Sequence, residues 1–539
     1  MIHYVCKYTP IELFAGFGEQ TVPLEAMRQD YPLADAAGHM NLCGFGKSVM
    51  ESVLSGDVSS LVLVNCCDVM RRVYDIIRHS GKCSWLYLLD LPHETGECSV
   101  ETFKAQLLRM KSSYESFSHK VFDEHLFLSA FVKAQVVQGP FIGIAGARAD
   151  KAFADTVSSS LHAPVKNLTC LGNRSVPAPE GNDIWRSYAR NLLSQIPCNR
   201  MDASWQRKRL YQDPSLKAIV YHAMKFCDYS QMEYRENMGS FPVPTVRIET
   251  DYTLQGDGQL STRLEAFRET IEGDKPHTME SEENYVAGID SGSTSTDVVI
   301  MDRKKKVIAS VIVATGGGAQ KSAEDCLAKA LEEAHLERKE VGRVVATGYG
   351  RDYLSGENAA VTEISCHAKG ARFLDPRVRT VIDIGGQDSK VISLSEEGKV
   401  ANFAMNDKCA AGTGRFLEMM ARTLGISLSE MATLGITCGE DLSISSMCTV
   451  FAESEVVSLV ARNKKRGDII HALDKSVASK IAALVHRVGL TEPCMLTGGV
   501  AQNKGVVHAL EEKLHVKLVV SPEAQLCGAL GAALFANEK

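Results

Sequence analysis

Two stretches of this chain repeat one device: an apolar strand ending in aspartate, a turn of glycines and hydroxyls, and a second strand. The first reads Tyr285-Val-Ala-Gly-Ile-Asp-Ser-Gly-Ser-Thr-Ser-Thr-Asp297 and continues as the strands Val298 to Met301 and Val307 to Ala314. The second reads Thr380-Val-Ile-Asp-Ile-Gly-Gly-Gln-Asp-Ser-Lys390. Such turns wrap phosphate with backbone N–H groups and hydroxyls. Their repetition predicts a duplicated domain. A third glycine turn, Met495-Leu-Thr-Gly-Gly-Val-Ala-Gln-Asn503, precedes a helical stretch and would cover a nucleoside. One glycine turn alone is usually a hairpin. Three in this order, each beside Asp or Thr, point to a nucleotide. Asp290 at the first strand's end would face the metal of Mg-nucleotide. The catalytic candidates are Asp290, Asp383 and Gln387. Ser291, Gly292, Ser293, Thr294, Gly385, Gly386, Gly498, Gly499, Gln502 and Asn503 are the candidate nucleotide contacts.

The cysteines are the other outlier, 16 in 539 residues. The start of the chain lacks a charged segment followed by an apolar one, and no apolar run approaches the roughly 18 residues of a membrane span. A cytoplasmic protein with no membrane partner is the expectation, and the net charge of −7 without a basic block argues against nucleic acid. In a reducing compartment, metal ligation or burial is a better reading than disulfides. No C-x-x-C pair occurs, which removes zinc ribbons and compact ferredoxin motifs. Burial is the default for Cys326, Cys366, Cys438, Cys494 and Cys527. Cys409, in Asn406-Asp-Lys-Cys-Ala-Ala-Gly-Thr-Gly-Arg-Phe416, and Cys448, in Ser445-Ser-Met-Cys-Thr-Val-Phe-Ala-Glu-Ser-Glu455, both precede helical runs, where N–H groups favour a thiolate. Two thiolates are half of what a cubane cluster usually takes. Two copies of the chain would supply the rest, giving a homodimer around one shared cluster.

Residues 1–270 alternate apolar strands with amphipathic helices, as parallel α/β units do. Strand candidates are Ser60 to Asn65, Ser84 to Leu89, Phe141 to Ala145, Lys217 to Tyr221 and Val243 to Glu249. A boundary near 138 would divide the region into two α/β subdomains. Asp202 to Tyr211 reads as the solvated face of a helix. Cys66, Cys67, Cys170 and Cys227 follow apolar strands, where open α/β sheets bind ligands. Cys6, Cys43 and Cys198 sit in turn-like contexts. Spacing alone leaves two readings open, convergence on a cluster and scattered burial. Gly44-Phe-Gly-Lys-Ser48 ends like a P-loop, but Asn41 stands where its first glycine should be. Residues 271–284 are polar and read as a linker to an ATPase domain over 285–539.

Cys6-Lys-Tyr-Thr-Pro-Ile-Glu12, Asn65-Cys-Cys-Asp-Val-Met-Arg-Arg72, Leu88-Leu-Asp-Leu-Pro92, Ile196-Pro-Cys-Asn-Arg-Met201, Met224-Lys-Phe-Cys-Asp228 and Gly258-Gln-Leu-Ser-Thr-Arg-Leu-Glu-Ala-Phe267 together resemble the 2-hydroxyacyl-CoA dehydratase and benzoyl-CoA reductase subunit family. In the dehydratases three cysteines hold one cluster, and the matching positions are Cys43, Cys67 and Cys227. The double-cubane cluster proteins carry three more, matching Cys6, Cys170 and Cys198. The resemblance thus implies a second iron–sulfur cluster, either a double cubane or a single 4Fe-4S. Cys66 is an extra thiol beside Cys67.

The glycine turns resemble those of the acetate kinase, actin, Hsp70 and sugar kinase superfamily. The motifs around Cys409 and Cys448 resemble, more narrowly, the ATP-driven activators of 2-hydroxyacyl-CoA dehydratase. That resemblance implies an actin/Hsp70-like (ribonuclease H-like) ATPase fold following the α/β cluster-binding domains. It also implies a 4Fe-4S cluster on Cys409 and Cys448 shared by two chains, with ATP and Mg2+. The combined expectation is ATP-dependent electron transfer to the N-terminal half, a small-molecule substrate and a ferredoxin- or flavodoxin-type donor. The alternatives are a dehydratase subunit fused to its own activator, and a kinase- or chaperone-like ATPase with structural cysteines.

Overall fold

The computed structural model describes residues 1–39, 41–131, 139–253, 257–272, 284–316, 318–351, 359–406, 410–436, 439–444 and 449–538. The chain forms two units, Met1–Leu264 and Glu265–Lys539. None of the described helices is long and apolar enough to cross a membrane.

Unit 1 carries two four-stranded sheets. The first is built from β1 (Ile2–Tyr4), β2 (Thr21–Pro23), β3 (Ser60–Val64) and β4 (Trp85–Leu89), and the second from β5 (Phe141–Gly146), β6 (Val165–Asn167), β7 (Leu216–Met224) and β8 (Thr245–Thr250). All pairings are parallel, in the orders β2-β1-β3-β4 and β6-β5-β7-β8. The central strands β3 and β5 are apolar runs buried almost throughout, as parallel strands covered on both faces must be. Helix Asp68–Ser80 shows why helices return over the sheet. Met70, Val73 and Ile77 bury one face, Asp68 and Arg78 complement its dipole, and Gly81 ends it at φ 65°.

In both sheets the chain leaves the two middle strands toward opposite edges. That creates a crevice at the carboxyl ends of β1 and β3, and another at those of β5 and β7. Arg148, just beyond β5, donates to the carbonyl of Val5 at 2.9 Å and to that of Leu24, joining the two sheets' strand ends.

Unit 2 holds two five-stranded sheets of one design. The first has β9 (Tyr285–Ser291), β10 (Ser295–Asp302), β11 (Val307–Ala314), β12 (Val341–Thr347) and β13 (Ala359–Ala360), and the second β14 (Thr380–Ile384), β15 (Ser389–Leu394), β16 (Val400–Asn406), β17 (Cys494–Thr497) and β18 (Leu518–Val520). Their orders are β11-β10-β9-β12-β13 and β16-β15-β14-β17-β18, three antiparallel strands followed by parallel ones. This is the duplicated ribonuclease H-like arrangement of actin and Hsp70.

The duplication extends to register. Asp290 pairs with Asp297 on one side and Thr347 on the other. Asp383 pairs with Lys390 and Thr497 in the same way.

Two expectations change. Asp202 to Tyr211 is solvated only in part, with Trp205, Lys208 and Arg209 exposed. Residues Ser204–Tyr211 form a 3₁₀ helix that buries Arg207, Leu210 and Tyr211, because Arg207 turns inward to pair with Glu233. Ile271 and Glu272, expected in the linker, close helix Asp257–Glu272, while 273–283 lie outside the described residues.

Candidate functional sites: a nucleotide cleft and a cysteine-lined crevice

A cleft of about 520 Å³ in unit 2 is lined from both sheets, a volume typical of small-ligand sites. Asp290, Gly292, Ser293, Thr294, Asp383, Gly385, Gly386, Gln387, Gly498, Gly499, Gln502 and Asn503 all line it. Ser291 does not. Side chains alternate along β9, so with Asp290 in the cleft, Ser291 faces back toward Gly350, whose Cβ, were it present, would lie 2.3 Å from Ser291 Oγ. The first two glycine turns meet face to face. A Cβ at Gly386 would lie 1.9 Å from Thr294 Oγ1, so only glycine fits there. Helix Leu428–Leu434 adds Leu428, Ser429, Ala432 and Thr433 beside the third turn. Gly498 makes that turn at φ 83°, with its α-carbon packed against Ile384 and Asp383.

The cleft also gathers groups that sequence reasoning did not single out. Lys390 Nζ lies 2.5 Å from Glu363, 2.8 Å from Asp388 and 3.3 Å from Asp383. Burial would lower the pKa of Lys390, but these three carboxylates hold it well above the usual lysine range. His367 Nδ1 is 3.4 Å from Asp383, and its Nε2 is 3.9 Å from Asp290. Burial lowers its pKa, against the pull of Asp383. The Thr497 hydroxyl donates to Asp383 at 3.0 Å. Asp383 stays ionised against burial through His367, Lys390 and that hydroxyl. Burial, reinforced by Glu363 and Asp297, pushes Asp290 well above the carboxylate range. Burial raises Asp297 to about 7. Thr294 Oγ1 and Asp297 Oδ1 are buried with no hydrogen-bond partner. Two hydroxyl-lined turns, unpartnered oxygens and acids that favour a proton or a cation suit a phosphate chain with its divalent ion. One signal for the missed pair was present, since Asp297 and Lys390 each stand seven residues beyond the strand-end aspartate.

The second turn is wired to the segment that carries Cys409. Helix Gly414–Leu424 begins with Gly414 N–H donating to the Gly385 carbonyl (2.9 Å) and Arg415 N–H to that of Gly386 (2.8 Å). Ser389 Oγ donates to the Gly412 carbonyl at 2.8 Å. Cys409 and Cys448 themselves lie outside the described residues.

In unit 1 the cysteines sort into two groups. Cys43 feels Cys227 and Cys67, and Cys227 feels Cys67. Cys6 feels Cys170 and Cys198, and Cys198 feels Cys170. By these mutual influences the six thiols fall into two neighbourhoods. Burial, then the neighbouring thiols, pushes Cys6 and Cys43 up to about 12. Cys67 is lowered to about 7 by the Cys66 thiol that donates to it, helped by the N–H groups of Met70 and Val69. Cys66 lies between the groups, touching Cys67 and facing Cys6 and Cys198.

The other motif residues are the braces of these loops. Glu12 holds Arg174 with two bonds of 2.7 Å and accepts from Tyr188 at 2.7 Å, fixing the loop after Cys170. Asn65 bonds Asp90 and the Leu91 N–H, tying the Cys66–Cys67 loop to its neighbour. Among the described residues no three acidic, His or Cys side chains are close enough to hold a single ion. A cluster spans a wider set of thiols than one ion does. The Gly44–Ser48 segment opens helix Gly44–Leu54, where Lys47 pairs with Asp35 at 2.7 Å and Ser48 donates to Ala26 at 2.6 Å, so it is no phosphate loop.

Residues 287–536 match the BadF/BadG/BcrA/BcrD ATPase family. Over 256 residues the chain is 49% identical to the (R)-2-hydroxyglutaryl-CoA dehydratase activating ATPase of Acidaminococcus fermentans, covering 47% of this chain and 98% of that protein. The chain belongs to the BadF/BadG/BcrA/BcrD ATPase family. A second relative, the activator of lactoyl-CoA dehydratase from Anaerotignum propionicum, is 48% identical over 254 residues, 47% of this chain and 98% of the relative. The crystal structure of the Acidaminococcus fermentans (R)-2-hydroxyglutaryl-CoA dehydratase component A is 48% identical and covers 47% of this chain and 97% of its own, with a TM-score of 0.46. This BadF/BadG/BcrA/BcrD member carries a second match in front. Residues 6–135 and 141–271 match the 2-hydroxyglutaryl-CoA dehydratase, D-component. One chain therefore joins a dehydratase-component half to an activator-ATPase half.

Proposed function

We propose that this protein is an ATP-dependent low-potential reductase in which unit 2 hydrolyses ATP and drives electrons into an iron–sulfur site held by unit 1. The observation that carries this reading is the pair of backbone hydrogen bonds from Gly414 and Arg415 to Gly385 and Gly386. A change at the phosphate turn reaches the helix behind Cys409 with no intervening side chain. Closure of a cleft between two lobes is a common switch of this kind.

The chain's own groups divide the work of hydrolysis. Ser293, Thr294, Gly385 and Gly386 would cradle the phosphates, Asp290 and Asp297 would hold Mg2+, and Leu428 to Thr433 with Gly498 to Asn503 would enclose the nucleoside. Phosphoryl transfer asks mainly for positioning and charge neutralisation. Lys390 supplies a fixed positive charge. His367, between Asp290 and Asp383, is placed to hold a water.

In unit 1, Cys43, Cys67 and Cys227 would ligate one cubane, and Cys6, Cys170 and Cys198 another. Cys409 and Cys448 from two protomers would ligate the shared cluster. When bound, these clusters supply one-electron transfer at low potential. A ferredoxin- or flavodoxin-type donor would feed the dimer, and a small molecule would be the final acceptor.

Iron analysis with electron paramagnetic resonance on anaerobically purified protein tests this. We expect about ten irons per chain, eight on unit 1 and two from the shared cluster. Cys409→Ala should lose one signal and about two irons. About six irons would instead favour a single cubane in unit 1 and a dehydratase subunit fused to its activator, the reading that the D-component match supports. No iron would overturn both and leave an ATPase with structural cysteines.

A further inference from the structure

The two cysteine groups of unit 1 sit in different electrostatic settings. Lys7 is buried beside Cys6, Cys170 and Cys198. Its Nζ donates to Asn173 Oδ1 at 2.7 Å and to the carbonyl of Ile196. Those acceptors belong to the Cys170 and Cys198 loops, and Lys7 itself follows Cys6. One ammonium thus stitches together the three loops that carry this group. It makes no ion pair among the described residues; both acceptors are neutral.

Arg200, two residues beyond Cys198, is also buried. It donates to the Leu91 carbonyl at 3.1 Å and bonds His93 Nε2 at 2.9 Å, while its Nε and Nη1 have no partner. It too forms no ion pair among the described residues. Two buried cations without carboxylates are expensive unless an anion faces them. The third cation nearby, Arg207, is neutralised by Glu233 at 2.6 Å. Around Cys43, Cys67 and Cys227 one buried cation also lacks a carboxylate among the described residues, since Arg148 bonds only carbonyls and lies over the Phe45 ring at 4.4 Å, but carboxylates stand directly beside two of the thiols. Asp68 follows Cys67, Asp228 follows Cys227, and each opposes the negative charge of its neighbouring thiol.

We propose that Lys7 and Arg200 are positioning residues that make the Cys6/Cys170/Cys198 site the more oxidising of the two, so that an electron held in unit 1 rests there. The inference depends on the iron–sulfur reading above. Its chemistry is one electron leaving one site and entering the other, supplied by the low-potential donor of that reading, with no bond made or broken. Buried positive charge favours the more reduced, more negative state of a cluster and raises its potential, while carboxylates do the reverse.

The test is a redox titration of the full chain followed by electron paramagnetic resonance, in a Cys409→Ala background that removes the shared signal. Cys198→Ser assigns the signal of the second site. We expect Lys7→Met to shift only that signal's midpoint downward, Lys7→Arg to recover most of the shift, and Arg200→Gln to shift the same midpoint in the same direction. Arg200→Gln leaves the Lys7 stitch in place, so it decides the matter if Lys7→Met fails to fold or to load iron. Unchanged midpoints in Arg200→Gln, or equal shifts at both sites, overturn the proposal. Absence of iron from the parent chain would instead refute the iron–sulfur reading itself.

Discussion

Replacing Glu233 with alanine removes the centre of a buried polar cluster behind the cysteine loops. Its carboxylate accepts from Arg207 Nε at 2.6 Å, Asn199 Nδ2 at 2.8 Å, Tyr221 OH at 2.9 Å and Tyr211 OH at 3.1 Å. The side chains of Arg207 and Glu233 are only 4% and 6% exposed. Removing one partner of such a pair leaves an uncompensated charge and costs about 3–5 kcal/mol. The tyrosine and asparagine bonds share the same carboxylate, so their losses do not simply add. We expect unit 1 to lose about 3–5 kcal/mol, some two to three and a half powers of ten in its folding equilibrium. Trp85, Trp185 and Trp205 are the chain's three tryptophans, and all lie in unit 1. Fluorescence during urea denaturation therefore follows that unit alone. The pH dependence has a definite sign. Against burial, Arg207 holds Glu233 below its ordinary value. The stabilisation is then full above the unfolded pKa of about 4.3 and is lost as pH falls through the lower folded value. The alanine variant should lack that acid limb. A loss below about 1 kcal/mol, the value of an exposed pair, would refute the reasoning.

Two further outcomes concern unit 2. Asp383→Asn should lower ATP hydrolysis about 10²–10³-fold, the range seen when one preorganised electrostatic contact is removed, with unit 1 fluorescence unchanged; undiminished hydrolysis would remove Asp383 from the site. Asp474 is buried with neither oxygen hydrogen-bonded, and burial pushes it up to about 8. Its folded form binds more protons than its unfolded form between about pH 3.9 and 8, so stability should fall with rising pH by up to about 1.4 kcal/mol per unit. Calorimetry of Asp474→Asn should show that slope flattened, and the same slope in parent and variant would refute it.

Much of this molecule was legible in the chain itself. The two strand–turn–strand repeats announced two sheets of one design, because an apolar run broken by glycines and hydroxyls can do little else. The strands over 60–64, 85–89, 141–146, 216–224 and 245–250 were marked by their apolar content. β1, β2 and β6 were not, being three residues each and partly exposed, too short for any periodicity to register. The arginine-rich turn at 204–211 misled, since nothing local says that Arg207 will find Glu233 across the core.

What only the tertiary structure decided is which groups meet. Sequence placed six cysteines at strand ends and turns and left convergence open. The assembled fold brings them within electrostatic reach of one another in two neighbourhoods. Lys7 looked like any lysine until its ammonium was found buried between two neutral acceptors. Lys390 became a site residue only through register, because β15 sets it opposite Asp383, while helix Glu363–Leu374 brings Glu363 and His367 from the side. Local sequence fixes periodicity and turns through short-range sterics. The charges that meet across a core are chosen by contacts between residues far apart in the chain, and only the assembled fold contains them.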